Sequence, residues 1–423
     1  MAFPPGSGLI RGRKGMFYGW RVVGVCFVAA VFTWGLGVFG GSVYLKEIGD
    51  GHGWPTALVA SALTVFYLTN AVCLPAIGAA IDRWGPRPVI LFGVMMLALG
   101  VAGVGRLTAL WQLYAAFICM GVGYGTMSVT GLSATVAPWF ERHQGRSIAL
   151  ALTGASFGAM LGVPALVLAI GWLGFADATL WAALTMVAVL LPMTAVVLRH
   201  RRPAALGLER DGAPAGSPDV AAAAAPAARG SARGAALRSY ALWSVALGFA
   251  IGLLAQVGFL THHYVIAAPM LGPQGAGFLV GATGLAGLLG RLALARAIDR
   301  VDPRRYTIGV FAVQAVVLVA FALWPTPQAL VPISLIYGFC LGQITTLSPI
   351  VVRREFGADA FGAIYGVAGT AIQFCSAFGP VFYGVLAGQF GGYGPVLAVG
   401  AACKAAAVLA LLSGAGAKRR RRG

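Results

Sequence analysis

The chain has 423 residues, 59% of them hydrophobic and 10% charged, and a net charge of +18; its mean hydropathy is +0.84. A soluble domain carries about 25% charged residues, so this composition excludes a chain that covers itself with a water-compatible surface. At roughly 20 apolar residues per spanning helix, the length admits a dozen spans.

In chain order, residues 1–17 form a short, basic, Gly/Pro-rich tail, and the apolar run after it is too long for the h-region of a cleavable leader. Apolar runs then predict spans near 18–45, 55–81, 89–105, 110–138, 147–171 and 177–198, a first bundle over 18–198. Residues 199–238 are charged at both ends and rich in Ala, Pro, Gly and Ser between, which predicts a linker with little fixed structure. A second set follows near 241–268, 276–298, 306–324, 328–351, 361–388 and 394–412, a second bundle over 239–412, and residues 413–423 are a basic tail. The predicted fold class is an all-α polytopic membrane protein of twelve helices in two six-helix bundles.

The placement of charge decides what the +18 means. On alternating sides, nearly all Lys and Arg fall with the termini, including Arg83, Arg87, Arg146, the linker arginines and the run Lys418–Arg422, whereas Lys46 and Arg106 fall opposite. This is the positive-inside asymmetry. It puts both termini in the cytoplasm and speaks against nucleic acid as a partner. Lys404, inside the last run, reads as a lysine snorkelling to the lipid boundary. Six cysteines stand singly in apolar runs with no metal-ligand spacing, and no nucleotide loop or HExxH pattern is present, so neither cofactor, metal nor catalytic centre is expected.

One polar turn is written twice. GAAIDRWGPRP (78–88) lies between the second and third runs, and ARAIDRVDPRR (295–305) lies between the eighth and ninth. Two repeated halves with their ends on one side are how many secondary carriers are built, with substrate held between the halves near the bilayer midplane.

The turn Gly78-x-x-x-Asp82-Arg83-x-Gly85-x-Arg87 resembles the signature of the major facilitator superfamily, as does WFERHQGR (139–146) after the fourth run. The second copy keeps Asp299, Arg300 and Arg304 but has Ala295 and Asp302 where glycines are usual. FYGWRVV (17–23), VYLKEI (43–48), FGAIYG (361–366) and FGP (378–380) resemble the monocarboxylate-transporter and oxalate/formate-antiporter branch. The resemblance implies alternating access gated on the cytoplasmic face by Asp82, Asp299 and their arginines. It further implies transport of a small organic monocarboxylate, lactate- or pyruvate-like, with a proton as co-substrate. Anion exchange of the oxalate/formate type, or efflux of an amphipathic drug or metabolite, are the alternatives. The composition fits a bacterial inner membrane, and one bundle pair suffices for a monomer.

Arg291 is the candidate for the anion. It lies eight residues before Asp299, roughly 12 Å into a core about 30 Å thick. A guanidinium at that depth is costly and generally functional, and its fork matches a carboxylate. In the resembled branch an arginine of the eighth helix binds the substrate anion. The branch often carries Asp or Asn four residues earlier, where this chain has Gly287. Its lysines on the first and eleventh helices fall here at Phe39 and near Ile372. A single cation favours a monoanion. Tyr67, Tyr124, Gln256, Tyr337 and Gln373 are candidate substrate contacts, and His262 and His263 are candidate proton carriers at the outer end of the seventh helix. Glycines 154, 158 and 162, and 277, 281, 284, 287 and 290, predict close helix faces, which the resemblance places between the halves.

Overall fold

The computed structural model describes residues 17–141, 143–200, 202–212, 238–298, 300–356 and 361–420. Among these the chain is almost entirely helical, and the apolar helices are Tyr18–His52 (α1), Thr56–Trp84 (α2), Pro86–Val104 (α3), Leu110–Trp139 (α4), Gln144–Leu173 (α5) and Phe175–Val197 (α6). A helical stretch Tyr240–Ala297 bends at Gly272, whose φ of 71° no L side chain adopts easily, so it is two spans: α7 (240–271) and α8 (273–297). Then come Pro303–Leu323 (α9), Pro327–Phe356 (α10), Ile364–Phe390 (α11) and Tyr393–Gly414 (α12). Twelve spans result, in two sets of six. In a solvent that offers backbone no hydrogen bonds, continuous helix is what such apolar runs must form.

The repetition reaches the backbone. Positive-φ glycines close the first and fifth helices of each half: Gly53 and Gly174 in the first, Gly272 and Gly391 in the second. Below, the membrane side carrying the Asp82 turn is the linker side, and the side of Gly53 and Gly272 is the far side.

The linker is not structureless where it leaves α6. Residues 203–206 and 210–212 form 3₁₀ turns. Asp211, in a left-handed backbone conformation (φ 61°), accepts from the Glu141 N–H at 3.0 Å and lies 3.2 Å from His143 Nδ1. It thereby brings a carboxylate to the N-terminus of α5, where the helix dipole favours negative charge.

Small residues set where the halves meet. Along α8, a Cβ on Gly277 would lie 3.0 Å from Val167, and one on Gly281 2.9 Å from Pro164; one on Gly284 would collide with Ala159. The α2–α11 seam is equally close: a Cβ on Gly384 would lie 2.9 Å from Ala60, and Thr64 Oγ1 accepts from the Val381 N–H at 3.2 Å. All these contacts lie in the far-side parts of the helices. Dispersion between closely approaching backbones, which only small residues allow, is what holds helices together in lipid.

Two π-helical segments interrupt this packing, Thr33–Phe39 in α1 and Gly158–Gly162 in α5. In the first, the Gly40 N–H reaches back five residues to the Gly35 carbonyl. The two segments press on each other, since a Cβ on Gly35 would lie 2.9 Å from the Gly158 carbonyl. Such bulges recur at functional sites because they swing side chains off the regular helical stripe.

Candidate functional site

Arg291 lies on α8, one to two turns toward the linker side from the glycines that touch α5. Its Nη1 donates to Ser156 Oγ of α5 at 3.2 Å, so the cation of one half is held by a hydroxyl of the other. Among the described residues no carboxylate pairs with it; the ion pairs are Lys46–Asp50, Arg106–Asp177, His143–Asp211 and Arg304–Glu355. A neutral hydroxyl leaves most of the five guanidinium donors free for an incoming anion.

Two residues beyond Ser156 begins the α5 π segment, and across it stands the α1 segment with Trp34. Trp34 packs edge-on against Tyr124 (5.4 Å between ring centres), Tyr124 meets Phe66 at 5.2 Å, and Phe66 meets Tyr67 at 4.9 Å. Tyr67 and Tyr124 thus share one aromatic cluster in the first half, each 8% exposed. The linked π segments connect it to Ser156 and Arg291. Trp34 and Ser156 belong to this arrangement and were not singled out from sequence; the paired Gly-x-Gly and Gly-x-x-x-Gly spacings around them were the available signal. Gln373, on α11, is half-buried.

Gly287 has a packing explanation. A Cβ there would lie 3.3 Å from the Gly338 carbonyl of α10, and one on Gly342 would collide with the Gly287 carbonyl. Backbone-to-backbone contact between α8 and α10 occupies the space that an Asp or Asn would need. Phe39 and Ile372, at 7% and 4% exposure, are core residues.

The remaining candidates sit elsewhere. Gln256 is buried inside the second bundle, where its Oε1 accepts from Gln314 Nε2 of α9 at 3.2 Å. Tyr337 is fully buried and stacks on Phe259, 4.3 Å between ring centres. His262 and His263 do not stand at an outer mouth: both are fully buried. His262 Nδ1 is 2.7 Å from Tyr393 Oη and its Nε2 is 3.0 Å from the Pro380 carbonyl, while His263 Nε2 is 2.9 Å from Ser334 Oγ. Lys404 does not snorkel either. It is wholly buried, donates to the Gly252 carbonyl at 2.7 Å, and lies 5.0 Å from the Phe311 ring centre. A face of α12 turns into its own bundle, so a long side chain there has no lipid interface to reach.

The two polar turns differ. In the first, Gly85 (φ 86°) ends α2 and starts α3, Gly78 has open space around it, and Asp82, Arg83 and Arg87 are exposed. Asp82 has no hydrogen-bond or ion-pair partner among the described residues; Arg83 lies over the Trp84 ring at 5.8 Å. In the second, Asp299 lies outside the described residues and Arg300 is exposed. Asp302 caps α9, accepting from the Arg304 and Arg305 N–H groups at 2.9 and 3.0 Å, which explains an aspartate where a glycine was expected. Arg304 is buried: it grips Glu355 through both carboxylate oxygens at 3.0 and 3.1 Å, donates to the Leu411 carbonyl at 2.9 Å, and bonds Ser244. All its partners lie in the second half, so it binds that half to itself.

Comparison with known proteins agrees with this architecture. The sequence profile of the Major Facilitator Superfamily matches residues 25–380 and, in a second alignment, 264–422. Among similar proteins, MFS-type transporter 1 of Ophiocordyceps sp. (strain BCC 1869) is 25% identical over 84% of this chain and 75% of its own. Monocarboxylate transporter 13 of Bos taurus is 25% identical over 89% of this chain and 82% of its own. The solved structure of the nucleoside transporter NupG superposes with a TM-score of 0.71 at 12% identity, covering 94% of this chain and 99% of that one, a likeness of fold.

Proposed function

The chain belongs to the Major Facilitator Superfamily, and from that premise we propose that it carries a small organic monocarboxylate, lactate- or pyruvate-like, by alternating access with a proton as co-substrate. The observation that supports this most is Arg291. It is a guanidinium at membrane depth between the halves, with a hydroxyl of the opposite half as its partner and no carboxylate beside it among the described residues. A substrate carboxylate would accept its fork bidentately and bring charge neutrality to the seam. Tyr67 and Tyr124 would offer ring surface to a short alkyl chain and hydroxyls to a polar substituent, with Gln373 on the opposing half. The likeness to a monocarboxylate transporter over most of both chains points the same way.

The remaining assignments follow from this reading. Asp82, Arg83 and Arg87 would close the linker side in the alternate state, when substrate faces outward. The halves touch on the far side and Asp82 has no partner among the described residues, which supports reading this state as open toward the linker side. The positive charge on the linker side supports an inner-membrane protein with cytoplasmic ends, acting as a monomer.

The test is uptake of labelled lactate, pyruvate, formate and oxalate into proteoliposomes, with and without an inward-acid gradient, by the wild type and Arg291→Gln. Saturable, gradient-stimulated uptake of a monocarboxylate that is lost in the variant is the expected result. Uptake of no acid by folded protein would overturn the reading and favour efflux.

A further inference from the structure

The second bundle contains a polar interior that the substrate site does not use. Lys404 of α12 lies at its centre, fully buried, with its ammonium against the Gly252 carbonyl at 2.7 Å and between the rings of Phe311 (5.0 Å) and Tyr337 (5.6 Å). No carboxylate contacts it among the described residues. A buried cation without a counter-ion is expensive, and lysine, unlike arginine, can meet that cost by giving up its proton.

Its surroundings suit both forms. The carbonyl and the two ring faces favour the ammonium. Tyr337, whose ring faces the ammonium, has a buried hydroxyl without a partner, and the Tyr383 hydroxyl and Gln314 Oε1 are likewise buried and unpartnered in the same bundle, so polar atoms able to solvate either form stand in this interior.

We propose that Lys404 is the residue that takes up and releases the coupling proton, from within the second bundle and apart from the substrate site; this rests on the proton-coupled reading above. The groups that face it are few. On α7 they are the Gly252 carbonyl and, two to three turns toward the far side, His262 and His263; α9 presents Phe311 and Gln314, neither of which titrates. On α10 they are Tyr337 and Cys340, on α11 Tyr383, and on α12 itself Cys403 and Tyr393. The Arg304–Glu355 pair is seven residues further along α12, at Leu411, and internally neutral.

These groups form a ladder from the far side inward. Tyr393, at the far-side start of α12, bonds His262 at 2.7 Å, and the His262 ring is 5.9 Å from that of Tyr383. The Tyr383 hydroxyl lies against Gly400, one helical turn from Lys404. A proton entering at Tyr393 passes to His262 along their hydrogen bond, and onward to the Tyr383 hydroxyl through bridging water. The N–H bond forms on the Lys404 amine as the O–H bond of the last hydroxyl breaks, and the proton following along the ladder restores that hydroxyl.

The site is also linked to Arg291. Tyr337 is next to Gly338, and a Cβ on Gly338 would lie 2.5 Å from the Thr283 carbonyl of α8. With Gly287 against Gly342 and Gly290 against Phe339, α8 and α10 have no slack between their backbones. An anion that draws Arg291 and α8 therefore displaces α10 and Tyr337, changing which form of Lys404 is better accommodated.

The chain has four lysines, Lys14, Lys46, Lys404 and Lys418, so Lys14→Arg, Lys46→Arg and Lys418→Arg combined leave Lys404 alone. Nitrogen-15 labelling of its Nζ in lipid nanodiscs then gives one resonance, which the proposal expects to move between ammonium and amine positions across the pH range over which the protein stays folded. A resonance that stays in one form over that range overturns it, whatever the protein carries. In proteoliposomes, Lys404→Met and Lys404→Arg should still exchange preloaded lactate or pyruvate for external label but lose stimulation by a pH gradient. Stimulation that persists in either variant also overturns it. Failure of the wild type to move any of the acids would refute the carboxylate reading and leave the resonance to decide the role of Lys404.

Discussion

Replacing either partner of the Arg304–Glu355 pair should destabilise the protein strongly, and replacing both should cost much less than the sum. The side chains are 5% and 11% exposed and 3.0 Å apart. At that distance the Coulomb attraction is about 5 kcal/mol for an effective dielectric of about 20, and desolvation offsets most of it. Glu355→Gln leaves a guanidinium held at the Leu411 carbonyl with no counter-charge, and Arg304→Gln leaves a lone carboxylate; each should cost about 3–5 kcal/mol. The double variant leaves neither charge stranded, so the coupling should be roughly 2 kcal/mol or more. Denaturant titration of purified protein, followed by tryptophan fluorescence, measures all four corners of the cycle. Losses that add within about 0.5 kcal/mol would show that the two groups do not depend on each other and would refute the inward-facing role given to Arg304.

Gly284→Leu should drive the halves apart on the far side, because the side chain enters space held by Ala159; cysteine labelling at far-side seam positions such as Thr64 should rise, and unchanged labelling would mean the seam is not rigid. Gly287→Asp, which restores the residue common in the resembled branch, should lower stability by about 1–3 kcal/mol through crowding against Gly338, measured by the same titration, and should not improve uptake. Asp211→Ala should release the start of the linker from the α4–α5 turn at a cost of about 1 kcal/mol. Limited proteolysis should then cut near residues 203–212 faster than in the wild type.

The span pattern was legible because lipid leaves apolar runs no alternative to helix, and the positive charges mark one side directly. Arg291 was legible for a similar reason: a charge so far from any turn has few structural excuses. Which way a mid-span polar residue faces was not legible. These helices are apolar nearly all round, so no stripe distinguishes the seam from the interior of a bundle. From sequence, Gln256 and Tyr337 read as substrate contacts, His262 and His263 as proton carriers at an outer mouth, and Lys404 as a residue of the lipid boundary, whereas all five are buried in one bundle interior. Ser156 was hidden by its ordinariness; only the partner 135 residues away gives it meaning.

The inward turn of Arg304 has a mechanical consequence. Its first-half counterpart, Arg87, is exposed, so one buried guanidinium rivets the linker-side end of the second half across α7, α9, α10 and α12, whereas the first half ties that end by the Tyr18 hydroxyl on the Val197 carbonyl and by aromatic contacts such as Tyr18 on Trp139. Two bodies descended from one design thereby differ in stiffness. When the halves rock, bending on this side should concentrate in the first, and the second should move as a lever of fixed shape.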